Sequence, residues 1–302
     1  MSTSMIDSLL IPTGAFIKTM YAVRDVFAFE PTKEHIATCI NYADLQEMRD
    51  NFVREMKNMV NGFVYSAAKQ KSMIEGFSEG RDLGGASTEL HQRACDKFRA
   101  SCLKGQFSEL LLCNLLQHFY RAAPLLRKMP ITTNPGLERN GADAIHVGEL
   151  AGKRILYLGE AKTYHRAQYS FRESMVNVIT SVLEHYVKHR AELDLYTYDD
   201  FLSPELEALA QQYQQGDAPD LEVHLVCIAT YNCNRSLNAK SRTEYLDNII
   251  ANIRADADSL KDNAVFTRIP AQLIPRINFI LFAVRDLDDL IAAFSRRFGH
   301  AN

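Results

Sequence analysis

The segment Leu221 to Thr230, which reads Leu-Glu-Val-His-Leu-Val-Cys-Ile-Ala-Thr, constrains the fold more than any other stretch. Its density of Val, Leu and Ile marks a buried central strand, one that carries apolar side chains toward both faces of its sheet. Such a sheet needs helices to cover it.

The covering elements are readable from periodicity. From Asp44 to Phe77, apolar residues recur at three- and four-residue steps through Leu45, Met48, Phe52, Met56 and Val60, which predicts helix. The glycine cluster of Glu79 to Ser87 ends that pattern. A wide apolar stripe from Phe107 to Phe119 predicts a buried helix over Leu103 to Arg121. Turn signals follow at Asn134-Pro135-Gly136 and Asn140-Gly141. Strands over Ala142 to Val147 and Arg154 to Lys162, joined through Gly148 and Gly152, suit an antiparallel hairpin. Helices are expected over Gln168 to Arg190, Ser241 to Leu260 and Leu287 to Phe298, with a strand over Arg276 to Val284 and a helix-and-loop insertion over Asp199 to Ala218. The fold class is therefore α/β, a mixed sheet flanked by helices with a helical N-terminal extension. A soft boundary divides residues 1–100, a mainly helical region offering a partner-docking surface, from a core over 101–302 with C-terminal strand and helix additions.

A formal net charge of -3 supplies no global attraction for nucleic acid, so a DNA partner has to be argued locally. The six cysteines are scattered, with no CxxC pair, and read as reduced thiols of a cytoplasmic protein. Met1 to Thr13 lacks the pattern of a secretory signal, and no run approaches the roughly 18 apolar residues of a spanning helix, so no membrane partner is expected.

The chemistry lies in Leu158-Gly159-Glu160-Ala161-Lys162. On a strand, Glu160 and Lys162 project from the same side. Asp143, at the start of the preceding strand, comes beside Glu160 in an antiparallel hairpin, and Glu109 sits in the first turns of the preceding helix. Carboxylates so gathered can share a hard divalent cation, and a neighbouring lysine can orient water and offset phosphate charge. With 37 acidic residues, an acid-x-Lys triplet arises by chance about twice. Glu55-Met56-Lys57 is such a match, lying in a helical pattern where positions two apart diverge. Context selects Glu160 and Lys162.

Together these residues resemble the PD-(D/E)xK nuclease superfamily, whose pattern is a helical Glu, a strand Asp and Glu-x-Lys on the next strand. The resemblance implies a restriction-endonuclease-like sheet and a Mg²⁺-dependent deoxyribonuclease, with Mn²⁺ as a substitute. In it Asp143, Glu160 and Glu109 are metal ligands, and all three act catalytically with Lys162. Gly105-Gln106-Phe107-Ser108-Glu109, Gly141-Ala142-Asp143 and the Glu160 strand further resemble the nuclease-subunit family of the Hachiman anti-phage defence system, HamA. That likeness implies a DNase acting on DNA beside a helicase subunit that restrains it until activation. The Gln-and-Tyr helix motif of RecB-type relatives does not align onto Gln168 and Tyr169; Gln168 is kept as an auxiliary candidate.

Competing sites are weaker. His185 and His189 have a zinc-compatible spacing but not the HExxH order, so a structural or surface role is the simpler reading, with DNA contact as the alternative. His91 and Cys95 form a single pair, too few for a tetrahedral site. No phosphate-binding Gly-Lys-Ser or Gly-Lys-Thr loop occurs, so energy coupling requires a partner. Lys104, Arg127, Lys128, Arg139, Arg154 and Arg166 are candidate phosphate contacts. Two other classes stay open: a non-catalytic partner-binding scaffold, and a phosphodiesterase acting on RNA or small nucleotides.

Overall fold

The computed structural model describes residues 3–125, 127, 142–164, 171–197, 204–218, 220–233 and 239–299. The first half contributes α1 (Thr3–Leu9), α2 (Gly14–Ile17), β1 (Met20–Val26), β2 (Glu34–Ile40) and a short ribbon of β3 (Tyr42–Ala43) and β4 (Gln46–Glu47). Helices α3 (Arg49–Asn58), α4 (Val60–Val64), α5 (Ala67–Phe77), α6 (Leu83–Cys95) and α7 (Leu103–Phe119) follow. Then come β5 (Ala123–Pro124), β6 (Ala144–Leu150), β7 (Lys153–Tyr164), α8 (Phe171–Thr197) and α9 (Pro204–Gln215). The chain closes with β8 (Leu221–Asn232), α10 (Arg242–Asp258), β9 (Ile277–Val284) and α11 (Leu287–Arg297).

Seven strands form one sheet in the order β1-β2-β9-β8-β7-β6-β5. The interior pairings β2–β9, β9–β8 and β8–β7 are parallel, and the outer pairings β1–β2, β7–β6 and β6–β5 are antiparallel. β8 lies between two parallel neighbours, and nine consecutive residues of it are buried, as its apolar run requires. Both faces are covered. Leu156 and Leu158 of β7 pack with Met175, Val178, Ile179 and Val182 of α8, in a core that also takes in α9 and α10. Ile155, Tyr157 and Ala161 of the same strand join the opposite core, built from α3, α4, α6, α7 and α11. The strand's alternation thus assigns even-numbered residues to the α8 face.

α7 is buried nearly all round because a second helical layer covers its outer side. Its buried amides are satisfied: Gln106 Oε1 accepts the Arg99 N–H at 2.9 Å, Gln117 Oε1 accepts the Ile11 N–H at 2.9 Å, and Asn114 Nδ2 donates to the Leu110 carbonyl at 2.9 Å. The hairpin turns at Ala151-Gly152, both with positive φ (52° and 78°), as a two-residue turn of the primed type demands. Gly148 lies within β6 instead.

The structure differs from the pattern reading in three places. The single helix expected over Asp44 to Phe77 is divided into α3, α4 and α5, since Tyr65 is extended and the Ser66 side chain caps α5 by accepting the Lys69 N–H. Leu45 falls outside it, exposed. Gly84 and Gly85 form the first turn of α6, with Asp82 accepting the Gly85 N–H at 2.7 Å. The N-terminal region is helical but also supplies β1 and β2 to the main sheet.

Candidate active site

Glu160 stands near the carboxyl end of β7, one of the four parallel strands, and is 1% exposed. The carboxyl ends of parallel strands are where α/β sheets bind ligands. Lys162, two residues on and on the same face, brings Nζ to 2.7 Å from Glu160 Oε1. α8 crosses this face, and Ser181 Oγ donates to the same oxygen at 2.7 Å while His185 Nδ1 donates to Oε2 at 2.9 Å. Burial pushes the Glu160 pKa up, but the hydrogen bond from His185, the Lys162 ammonium and the Ser181 hydroxyl together hold it below the usual carboxylate range. The residue is an anion because its environment is built for one.

Asp143 immediately precedes β6. The last hairpin pair is Ala144 with Gly159, so Asp143 falls opposite Glu160, and its Oδ2 accepts the Ala161 N–H at 2.9 Å. The other expected carboxylate, Glu109, approaches from α7: it lines a cavity together with Asp143, Cys113, Arg127 and His146. The structure therefore pairs Glu160 with Lys162, sets Asp143 across the hairpin from Glu160 with its carboxylate on the Ala161 N–H, and has Glu109 share a cavity with Asp143.

Of the remaining candidates, His185 and His189 part company. His185 reaches Glu160, whereas His189 is buried, with Nε2 2.6 Å from the Tyr213 hydroxyl and Nδ1 on the Tyr186 carbonyl. His91 Nδ1 donates to Asn61 Oδ1 at 2.9 Å and its Nε2 lies 3.5 Å from Cys95 Sγ. Burial lowers the His91 pKa and raises that of the Cys95 thiol, which opposes formation of the reactive ion pair. Arg127 Nε donates to the Gly62 carbonyl at 3.2 Å. Lys104 is exposed on the first turn of α7. Arg154 is a correction: it begins β7, six residues from Glu160 and so about 20 Å away along the strand, at the opposite end from the site. Lys128, Arg139, Arg166 and Gln168, with Tyr169 and the turn signals around Pro135 and Gly141, lie outside the described residues.

Ser181 went unrecognised in the sequence, and the signal that would have found it is spacing. It lies four residues before His185, on the same helical face, so His185's functional neighbour is one turn back and not His189 one turn on.

Asp143, just before β6, and Glu160, on the neighbouring β7, are hard oxygen donors, a chemistry that fits a divalent cation such as Mg²⁺. Among the described residues no three His, Cys, Asp or Glu side chains converge as a metal-holding group. The fit accordingly rests on that carboxylate pair, with Glu109 in the adjoining cavity. Fold and site define an α/β protein whose mixed, helix-covered sheet carries a buried glutamate and a lysine at the carboxyl end of a parallel strand.

The chain belongs to the HamA family, whose family model matches residues 14–298. Membership makes it a component of the Hachiman anti-phage defence system. Comparison with curated proteins gives no match. No helix among the described residues is long and apolar enough to cross a membrane.

Proposed function

We propose that this HamA-family chain is a metal-dependent deoxyribonuclease of the PD-(D/E)xK type, the effector that works beside a helicase subunit. The observation that carries the reading is the buried Glu160 with Lys162 at 2.7 Å, opposite Asp143, at the carboxyl end of the parallel strands.

Asp143 and Glu160 would hold Mg²⁺, or Mn²⁺ in its place, and Glu109 of α7 lines the cavity that Asp143 also lines. A cation so held supplies Lewis-acid stabilisation of the charge that develops on the phosphate. The protein's own groups do the rest. Lys162, fixed by its contact with Glu160, presents an ammonium that orients the attacking water and offsets negative charge on the phosphodiester. Asp143, anchored on the Ala161 N–H, keeps its carboxylate against β7. Glu160 stays ionised at neutral pH because three donors converge on it. An unregulated DNase would damage its own host, which supports restraint by the helicase partner.

The test is cleavage of linear and supercoiled DNA by the chain with and without the co-expressed helicase, in Mg²⁺ and in chelator, for wild type, Glu160→Ala and Lys162→Ala. Metal-dependent cutting lost in both variants, by about 100-fold or more, is expected. Cutting that survives both substitutions, or is indifferent to metal, overturns the assignment. Absence of cutting under every condition favours the non-catalytic scaffold.

A further inference from the structure

We propose that Ser181 and His185 are positioning residues for Glu160, making α8 part of the active-site machinery; the role rests on the nuclease reading above. A carboxylate held only by Lys162 has a single tether, on Oε1, and can rotate about its last bond. Here the two oxygens are gripped separately: Ser181 Oγ on Oε1 at 2.7 Å and His185 Nδ1 on Oε2 at 2.9 Å. The two donors are one helical turn apart and point the same way. Their helix is seated on the sheet by Met175, Val178, Ile179 and Val182, all fully buried against β7 and β8. The plane of the carboxylate is thereby set from α8, and with it the direction in which Glu160 can still offer lone pairs to a cation or water. Groups that orient a ligand in this way affect metal affinity or activity about 10- to 100-fold when removed.

A purely structural clasp would show up as lost stability, with activity falling only with the folded fraction. The experiment separates the two on the full-length chain by titrating Mn²⁺ and following the free-ion electron paramagnetic resonance signal, alongside thermal melting and DNA cleavage. His185→Leu removes the donor. His185→Asn keeps an N–H where Nδ1 stands. Ser181→Ala removes only an oxygen, and decides the matter if His185→Leu fails to fold. The expected result is Mn²⁺ affinity weakened about 10- to 100-fold in His185→Leu and measurably in Ser181→Ala at unchanged melting temperature. kcat should fall with KM for DNA unchanged, and His185→Asn should restore most of both. The proposal is overturned, and the nuclease reading left standing, if wild type binds Mn²⁺ and Glu160→Ala does not while Ser181→Ala and His185→Leu match wild type. Equal failure of His185→Asn and His185→Leu overturns it too. Mn²⁺ binding that is absent in wild type, or undiminished in Glu160→Ala, sinks the underlying metal reading instead.

Discussion

A carboxylate at 1% exposure persists as an anion only when donors replace the water it has lost, and Glu160 has three. His35 shows the opposite solution for a buried titratable group. Its Nε2–H donates to the Pro31 carbonyl at 3.0 Å and its Nδ1 accepts the Phe279 N–H at 3.2 Å, so the neutral tautomer fills both sites and a second proton would face a donor. Burial, with Lys33 nearby, lowers its pKa to about 4, and burial lowers that of His146 to about 3. In the unfolded chain each titrates near 6.5, so below that pH the unfolded state binds more protons and stability falls. The stability these residues contribute is complete above about pH 6.5 and is lost as pH falls toward 4 and 3, with each adding a slope of up to about 1.4 kcal/mol per pH unit. Denaturant unfolding at pH 7, 6 and 5 should show it, and His35→Gln should flatten it; an unchanged slope in the variant would refute the assignment. Neither histidine announces its role in the sequence, because both depend on partners that only the fold supplies. Glu160 and Lys162 were legible because two residues on one strand share a face whatever packs against them. Ser181 and His185 were not, since their contact with Glu160 joins a helix to a strand more than twenty residues earlier.

The elements that could be read are those whose own pattern is strong: the apolar run of β8, the wide stripe of α7, the hairpin turn. β1 and β2 escaped because β2 owes its place to a parallel pairing with β9, from Ile36 with Ile280 to Cys39 with Ala283. No local window contains that partner, and the Glu, His, Thr and Cys of β2 hide its burial. At this scale the packing of α7 on β7 is the contact that matters for the site. A Cβ added at Gly159 would stand 2.9 Å from Leu112 Cδ2, which would have to shift, and 3.1 Å from Ala144 Cβ, tighter than ordinary van der Waals contact. The glycine is thus what lets α7, with Glu109 on it, approach the strand that carries Glu160. Gly159→Ala is expected to cost about 1–3 kcal/mol, as overpacking does, and to lower the proposed DNA cleavage by displacing α7. By contrast Gly152→Asn, at a turn position with φ of 78° and nothing within 4 Å, should cost less than about 1 kcal/mol. Equilibrium unfolding of the two variants checks the pair, and equal losses would mean the close approach is unimportant.

For the molecule as a whole, the decisive question is whether the residues before and after position 100 are separate folding units. A division there would leave 101–302 able to fold by itself, but the packing argues otherwise. Phe52 of α3 lies 5.6 Å from Phe282 of β9 and 6.5 Å from Phe107 of α7, and Phe98 lies 4.6 Å from Phe298 and 6.3 Å from Phe294, ring centre to ring centre. Without β2, the β9 strand becomes an unpaired edge whose Ile280 and Phe282, now fully buried, lose their cover. Each large apolar side chain re-exposed costs about 1.5–3 kcal/mol, and a domain has only about 5–15 kcal/mol in all, so losing a handful of such contacts exhausts it. A fragment of residues 101–302 is therefore expected to aggregate or to lack a cooperative unfolding transition, while co-expression with residues 1–100 should recover a soluble complex with the near-ultraviolet circular dichroism of the intact chain. A monomeric fragment that unfolds cooperatively would show that the N-terminal strands are an addition to a self-sufficient core. If the fragments do reassemble, a partner docking on α3 to α6 would press on the same apolar core that seats α7 against β7. Contact with the proposed helicase partner there would then reach the proposed active site through packed side chains, with no need for it to touch Glu160 or Lys162.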